Sequence, residues 1–228
     1  MRDGYDTSPI NPLPPVIWAL ALPIVAMEAV LGAGGAGLAG GPEAVGWRLD
    51  AIQRFAFSPE VVKWMWATGQ WPPEHVMRFV TYPFAHGSFT QALFVLVFLL
   101  ALGKMVAEVF SAFAVVLIFF GAAIAGALAF TAIPGVTQPL IGGYPPVYGL
   151  IGAFTFILWA RLGAANANRA RAFSLIGFLL GIQLVFALIF GGSWDWVADV
   201  AGFATGFALS FLVVPGGWAA LRDRIRHR

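Results

Sequence analysis

The chain contains no cysteine, which excludes a disulfide framework and a thiol nucleophile. Histidine is nearly missing as well: three residues, at 75, 86 and 227, in a chain of 228. So scattered a set, without cysteine beside it, supplies no credible metal site. Charge is scarce, at 11% of residues against 60% hydrophobic, and serine is absent between Ser111 and Ser174. The formal net charge is only +2, and four of the basic residues (Arg222, Arg224, Arg226 and Arg228) crowd the tail. That tail reads as a basic cytoplasmic end, not as a nucleic-acid site.

What is abundant is apolar surface. With a mean hydropathy of +0.83, the composition exceeds what one soluble core of this size can bury. Repeated apolar stretches of about 20 residues are each long enough to cross roughly 30 Å of hydrocarbon. The chain reads as an integral membrane protein. Six spans are expected, over about 16–38, 89–109, 112–132, 147–162, 173–190 and 197–214. The first is too long for a signal-peptide core, so it reads as a retained span. Its Glu28 is expected to turn inward or towards an interface, since an acid facing lipid costs about 2.5–3.5 kcal/mol.

A long connection, Gly40 to Ser88, follows the first span and carries Trp47, Trp64, Trp66 and Trp71. Residues 44–57 and 59–68 alternate apolar and charged positions at helical spacing, the second opening on Ser58 as an N-cap before Pro59. Tryptophan-rich helices with one apolar face tend to lie in the membrane interface. Lys104 and Glu108, four apart near the end of the second span, stand where they can pair on one face. The tail arginines, Arg161, Arg169, Arg171, Lys104 and Arg2 all fall on one side of a six-span chain. The basic residues of the long connection, Arg48, Arg54, Lys63 and Arg78, are balanced by acidic ones. Both termini are therefore expected in the cytoplasm, with the loop at Tyr144 and the turn at Trp194 opposite, and a bacterial plasma (inner) membrane is the expected location.

Two segments carry a family resemblance. The stretch Gly142-Gly143-Tyr144-Pro145-Pro146-Val147-Tyr148-Gly149-Leu150-Ile151-Gly152 opens the fourth span, and Ala198-Asp199-Val200-Ala201-Gly202-Phe203-Ala204-Thr205-Gly206 opens the sixth. Together they resemble the two active-site helices of the rhomboid intramembrane serine proteases, whose motifs are G-x-S-G and A-H-x-x-G-x-x-x-G. Tyr144 stands at the serine position and Asp199 at the histidine position. Ahead of the second span, His86-Gly87-Ser88-Phe89-Thr90-Gln91-Ala92-Leu93-Phe94-Val95 is similar to H-G-x-x-x-H-L-x-x-N, with Gln91 and Val95 at the two positions that help hold the oxyanion. Arg78-Phe79-Val80-Thr81 resembles W-R-x-x-T, with Met77 in place of the tryptophan. Tyr148 matches the aromatic beside the dyad.

The resemblance implies an all-α, polytopic membrane bundle of six transmembrane helices with interfacial helices in a long first loop. One such domain would occupy 1–228, with a core at 16–214, a cytoplasmic segment at 1–15 and a basic tail at 215–228. It also implies that spans four and six pack together. Gly149 and Gly152 share a face at i, i+3, and Asp199, Gly202 and Gly206 do so at i, i+3, i+7, spacings that let helix backbones approach closely. Tyr144 would then face Asp199 and its phenol could donate to the carboxylate.

An acyl-transfer site needs an activated nucleophile and donors aimed at the oxyanion. Neither histidine nor serine occurs at the required positions, and sliding the alignment restores neither. Pro145 and Pro146 have no N–H, which weakens the backbone half of an oxyanion hole. Ser88 beside His86 reads as a turn, not a relocated pair. The sequence thus favours a catalytically inactive rhomboid-like protein that binds transmembrane client proteins in the lipid membrane, with a soluble protease or chaperone as a further partner class. No cofactor, metal or nucleic acid is called for. Proteolysis by an unconventional site, and solute handling, remain the alternatives.

Overall fold

The computed structural model describes residues 12–214. The basic tail at 215–228 and residues 1–11 of the N-terminal segment, including Arg2, lie outside the described residues, so the expectations for them do too.

Helix α1 (Pro15–Gly35) opens on proline, tolerated where no N–H is required. It buries one face, Ile17, Leu20, Ala21, Ile24, Glu28 and Leu31, at three- and four-residue spacing. The long connection folds into a 3-10 turn (Gly41–Gly46) and four short helices: α2 (Trp47–Phe55), α3 (Pro59–Thr68), α4 (Pro73–Val76) and α5 (Arg78–Thr81). Ser58 caps α3 by accepting from the Val61 N–H at 3.4 Å, and Gly69 ends it at φ 68°, the left-handed conformation that glycine adopts without strain.

After a further 3-10 turn (Tyr82–Phe84) come α6 (Phe89–Ala107), α7 (Ala112–Thr131) and α8 (Tyr144–Ala164), then a 3-10 turn (Arg169–Phe173), α9 (Ser174–Phe190) and α10 (Asp195–Val213). Ser88 and Ser111 cap α6 and α7 through the N–H groups of Gln91 and Ala114, each at 3.2 Å. Among the described residues no β-strand forms; Phe57 and Leu140 make an isolated antiparallel bridge that fastens the first connection to the loop before α8, with N–H···O distances of 3.0 and 2.9 Å.

Some expected limits shift. Helix α8 starts at Tyr144, not Val147, because Pro145 and Pro146 fall in its first turn, where proline fits. Helix α10 starts at Asp195, which brings a second carboxylate onto that helix. Helix α1 stops at Gly35, short of Leu38, in the glycine cluster.

Among the described residues five helices, α1, α6, α7, α8 and α10, are long and apolar enough to cross a membrane. The fold is a polytopic helical bundle. Helix α9, at 17 residues, is a sixth apolar helix of about 25 Å. A Cβ on Gly202 would meet Pro145 O, and one on Gly206 would meet Gly149 O, so α8 and α10 run parallel. The segment joining them must return the full length of the bundle, and α9 is the helix that does so. Helix α1 packs antiparallel to α6, with Ile17 against Gly103. The core gathers Val95, Leu99, Ile118, Phe119, Leu150 and Ile151 from α6, α7 and α8.

Candidate functional site

Parallel packing of α8 and α10 brings their N-terminal ends side by side. A Cβ on Gly152 would fall on Phe203 O and lie 2.7 Å from Phe207 N, and one on Gly149 would fall on the Ala122 side chain of α7. Side chains larger than hydrogen at these points would force the helices apart. Gly149, Gly152, Gly202 and Gly206 thus mark where α7, α8 and α10 meet backbone to backbone.

Above that contact opens a cavity of about 570 Å³. Tyr144 and Pro145 line it from α8, Asp195, Trp196 and Asp199 from α10, Gln183 from α9, and Gln91 from α6. Four elements therefore converge on one chamber. Tyr148, one turn deeper on α8, is buried in the core.

Asp199 is 3% exposed. The hydrogen bond anticipated from Tyr144 is replaced by one from α9: Gln183 Nε2 donates to Asp199 Oδ2 at 2.8 Å. Asp199 Oδ1 is buried and has no hydrogen-bond partner among the described residues. The Tyr144–Asp199 pairing is thus not formed, because the amide of Gln183 reaches the carboxylate from the side.

Gln91 turns back on its own helix start, its Oε1 accepting from the Gly87 N–H at 2.9 Å. Its amide end packs against Gly142, which sits at φ 89° and has no room for a Cβ, the nearest Gln91 atom being 2.7 Å away. Val95 does not reach the cavity; it is fully buried and packs against Gly143. Of the two oxyanion-position residues, one lines the chamber and the other fills the core beside it.

His86 is held between two backbone groups. Its Nδ1 lies 3.2 Å from Phe84 O, and the Gly143 N–H reaches its Nε2 at 3.4 Å. A carbonyl on one nitrogen and an N–H on the other define the neutral ring protonated at Nδ1. Burial, the largest influence, pushes its pKa down to about 4; Arg48 adds to this, while Glu28 and the Phe84 carbonyl oppose it. Ser88 spends its hydroxyl as the cap of α6. Neither is arranged as a nucleophile with its base.

Glu28 does turn inward, and it has a partner that spacing did not indicate. Arg48 Nη1 and Nη2 donate to Glu28 Oε1 and Oε2, both at 2.9 Å, and Nη1 also donates to His86 O at 2.9 Å. The paired carboxylate raises the Arg48 pKa above its ordinary value. Arg78 Nη1 and Thr81 Oγ1 hold the carbonyls of Ala56 and Phe55 at 3.2 and 3.4 Å, which fixes α5 against the end of α2.

Three cavity residues escaped the sequence reading: Gln183, Ser193 and Asp195. Ser193 Oγ donates to Asp195 Oδ2 at 2.9 Å in an exposed turn. Gln183 is the only amide in α9, and an isolated amide in an apolar run is a usable signal. Among the described residues no group of three His, Cys, Asp or Glu stands ready to hold a metal ion.

A family model described as "Rhomboid domain" matches residues 73–216, well over half of the chain and taking in every helix from α4 to α10. A search of curated proteins finds no match.

Proposed function

The chain belongs to the rhomboid family, and from that premise we propose that it is a membrane pseudoprotease that binds transmembrane segments or membrane-protein clients without cleaving them. The observation that carries this reading is the make-up of the cavity at the meeting point of α8 and α10. Its lining holds Tyr144 and Asp199 but, among the described residues, no histidine, lysine or cysteine. Its single serine, Ser193, has only the Asp195 carboxylate as partner, a weak base for acyl transfer. Pro145 and Pro146 withhold two N–H groups from the start of α8, and Val95 offers no donor.

The binding half of the proposal rests on α9. Phe178, Leu184, Val185, Leu188 and Ile189 on this helix are exposed, while its described core contacts lie in its first half, at Leu175, Ile176, Leu179 and Leu180. In a bilayer such a helix meets lipid or another apolar helix, and its displacement would open the cavity sideways to a client. The exposed Trp64, Trp66 and Trp71 of the first connection fit the membrane interface. Basic residues at the opposite end, Arg161, Arg169 and Arg171, favour cytoplasmic termini by the positive-inside tendency.

The test is cleavage of a reporter transmembrane segment in membranes, run beside fluorophosphonate labelling. The natural chain is expected to be silent in both, with the reporter nonetheless captured by photo-crosslinking from α9. Cleavage lost in Tyr144→Phe or Ser193→Ala would overturn the reading and make the chain an unconventional protease.

A further inference from the structure

The cavity holds two acceptors with nothing to accept from. Asp199 Oδ1 and Gln183 Oε1 are both buried without a hydrogen-bond partner among the described residues, and both residues line the cavity. The 2.8 Å bond from Gln183 Nε2 to Asp199 Oδ2 ties the two side chains together, leaving their remaining oxygens for a common visitor. A buried acceptor deprived of a donor is destabilising, and a charged one more so. Among the described residues no lysine, arginine or histidine lines the chamber to supply that donor. Asp195, one turn earlier on α10, adds a second carboxylate. Beside Gln91, Tyr144 and Ser193, the wall is made apolar by Leu140, Ile141, Leu180, Leu184 and Trp196.

Apolar walls, two carboxylates and unpartnered acceptors define the complement: N–H donors and positive charge at the tip of an apolar stem. We infer that the cavity receives the ammonium or guanidinium of a lysine or arginine on a client's transmembrane segment, held by Asp199 Oδ1 and Gln183 Oε1. This rests on the client-binding reading above. The depth fits. Asp199 is the fifth residue of α10, about 6 Å along the helix from its start. Lysine and arginine are tolerated near the ends of membrane helices, where their stems run along apolar surface and their charged heads reach towards water. A client carrying one there exchanges a costly exposed charge for a partnered one.

Two arms test the inference on the full chain. In detergent at neutral pH, hexylamine should raise the Tm of the natural chain while hexanol at equal concentration should not. In phosphatidylcholine nanodiscs, a transmembrane peptide with one lysine near its end should bind about tenfold tighter than the same peptide with methionine there. Asp199→Asn should erase both preferences, and so should Leu180→Trp, which fills the cavity without touching a carboxylate. Hexylamine acting no better than hexanol would overturn the inference. Equal binding of the two peptides would overturn it too, yet leave client binding intact. An amine preference without binding of either peptide would reassign the site to a free amine or a lipid ammonium and defeat the lysine assignment, together with the client reading.

Discussion

Arg48 joins three segments that are far apart in the chain. Its guanidinium reaches Glu28 on α1 and the carbonyl of His86 before α6 from its own place on α2. Removing Arg48 from this part-buried, bidentate pair leaves the buried Glu28 charged and unpartnered. Arg48→Met is therefore expected to lower stability by about 3 kcal/mol, and Glu28→Gln in the same background to recover part of it, as read by thermal unfolding in detergent. His86 gives a pH signature. Its pKa is about 4 in the folded chain against 6.5 for the free side chain, so the unfolded chain takes up the proton first. Stability from this group is complete above about pH 6.5 and is lost as the pH falls towards 4, amounting to about 2 kcal/mol at pH 5. His86→Gln, which keeps an acceptor for Gly143, should flatten the acid limb of a plot of Tm against pH relative to the natural chain. That Glu28 turns inward was legible beforehand, but its partner was not. Glu28 and Arg48 are 20 residues apart and Gln183 and Asp199 are 16 apart, on different helices, so no periodicity links them.

Between α8 and α10 the glycines are the contact itself. A methyl at Gly206 would fall on the backbone oxygen of Gly149. Gly206→Ala should cost roughly 2–3 kcal/mol or drive α10 out of register, since backbone cannot yield as a side chain can. Gly177→Ala on α9 is the control: nothing lies within 4 Å of a Cβ there, and the change should leave Tm within about 1 kcal/mol equivalent, tending upward. Helix existence and type were legible from hydropathy and caps, as α3 with Ser58 ahead of it illustrates. Helix starts were less so, because proline reads as a breaker, yet at Pro145 and Pro146 it begins α8. The positions of Tyr144 and Asp199 could be read from register alone, but not that a neighbouring helix would supply Asp199 with its partner.

The molecule as a whole has two ends with different chemistry: basic loops where α8 finishes, and the cavity with the tryptophan-bearing connection where α8 begins. Because the chain has no cysteine, single cysteines report sidedness cleanly. A membrane-impermeant maleimide should label Gln70→Cys in intact cells and Asn168→Cys only after permeabilisation; the reverse pattern would invert the topology. The parallel seating of α10 on α8 also bears on how the molecule is made. Helix α10, made after α8, supplies the backbone against which Gly149 and Gly152 are fitted. Until residue 213 or so has been translated, the middle of the bundle is an open slot facing lipid, and earlier spans wait in the bilayer half-assembled. Quality control therefore has a natural checkpoint at the making of α10: chains halted before it should be cleared by membrane proteases, whereas chains that carry it should become resistant in one step.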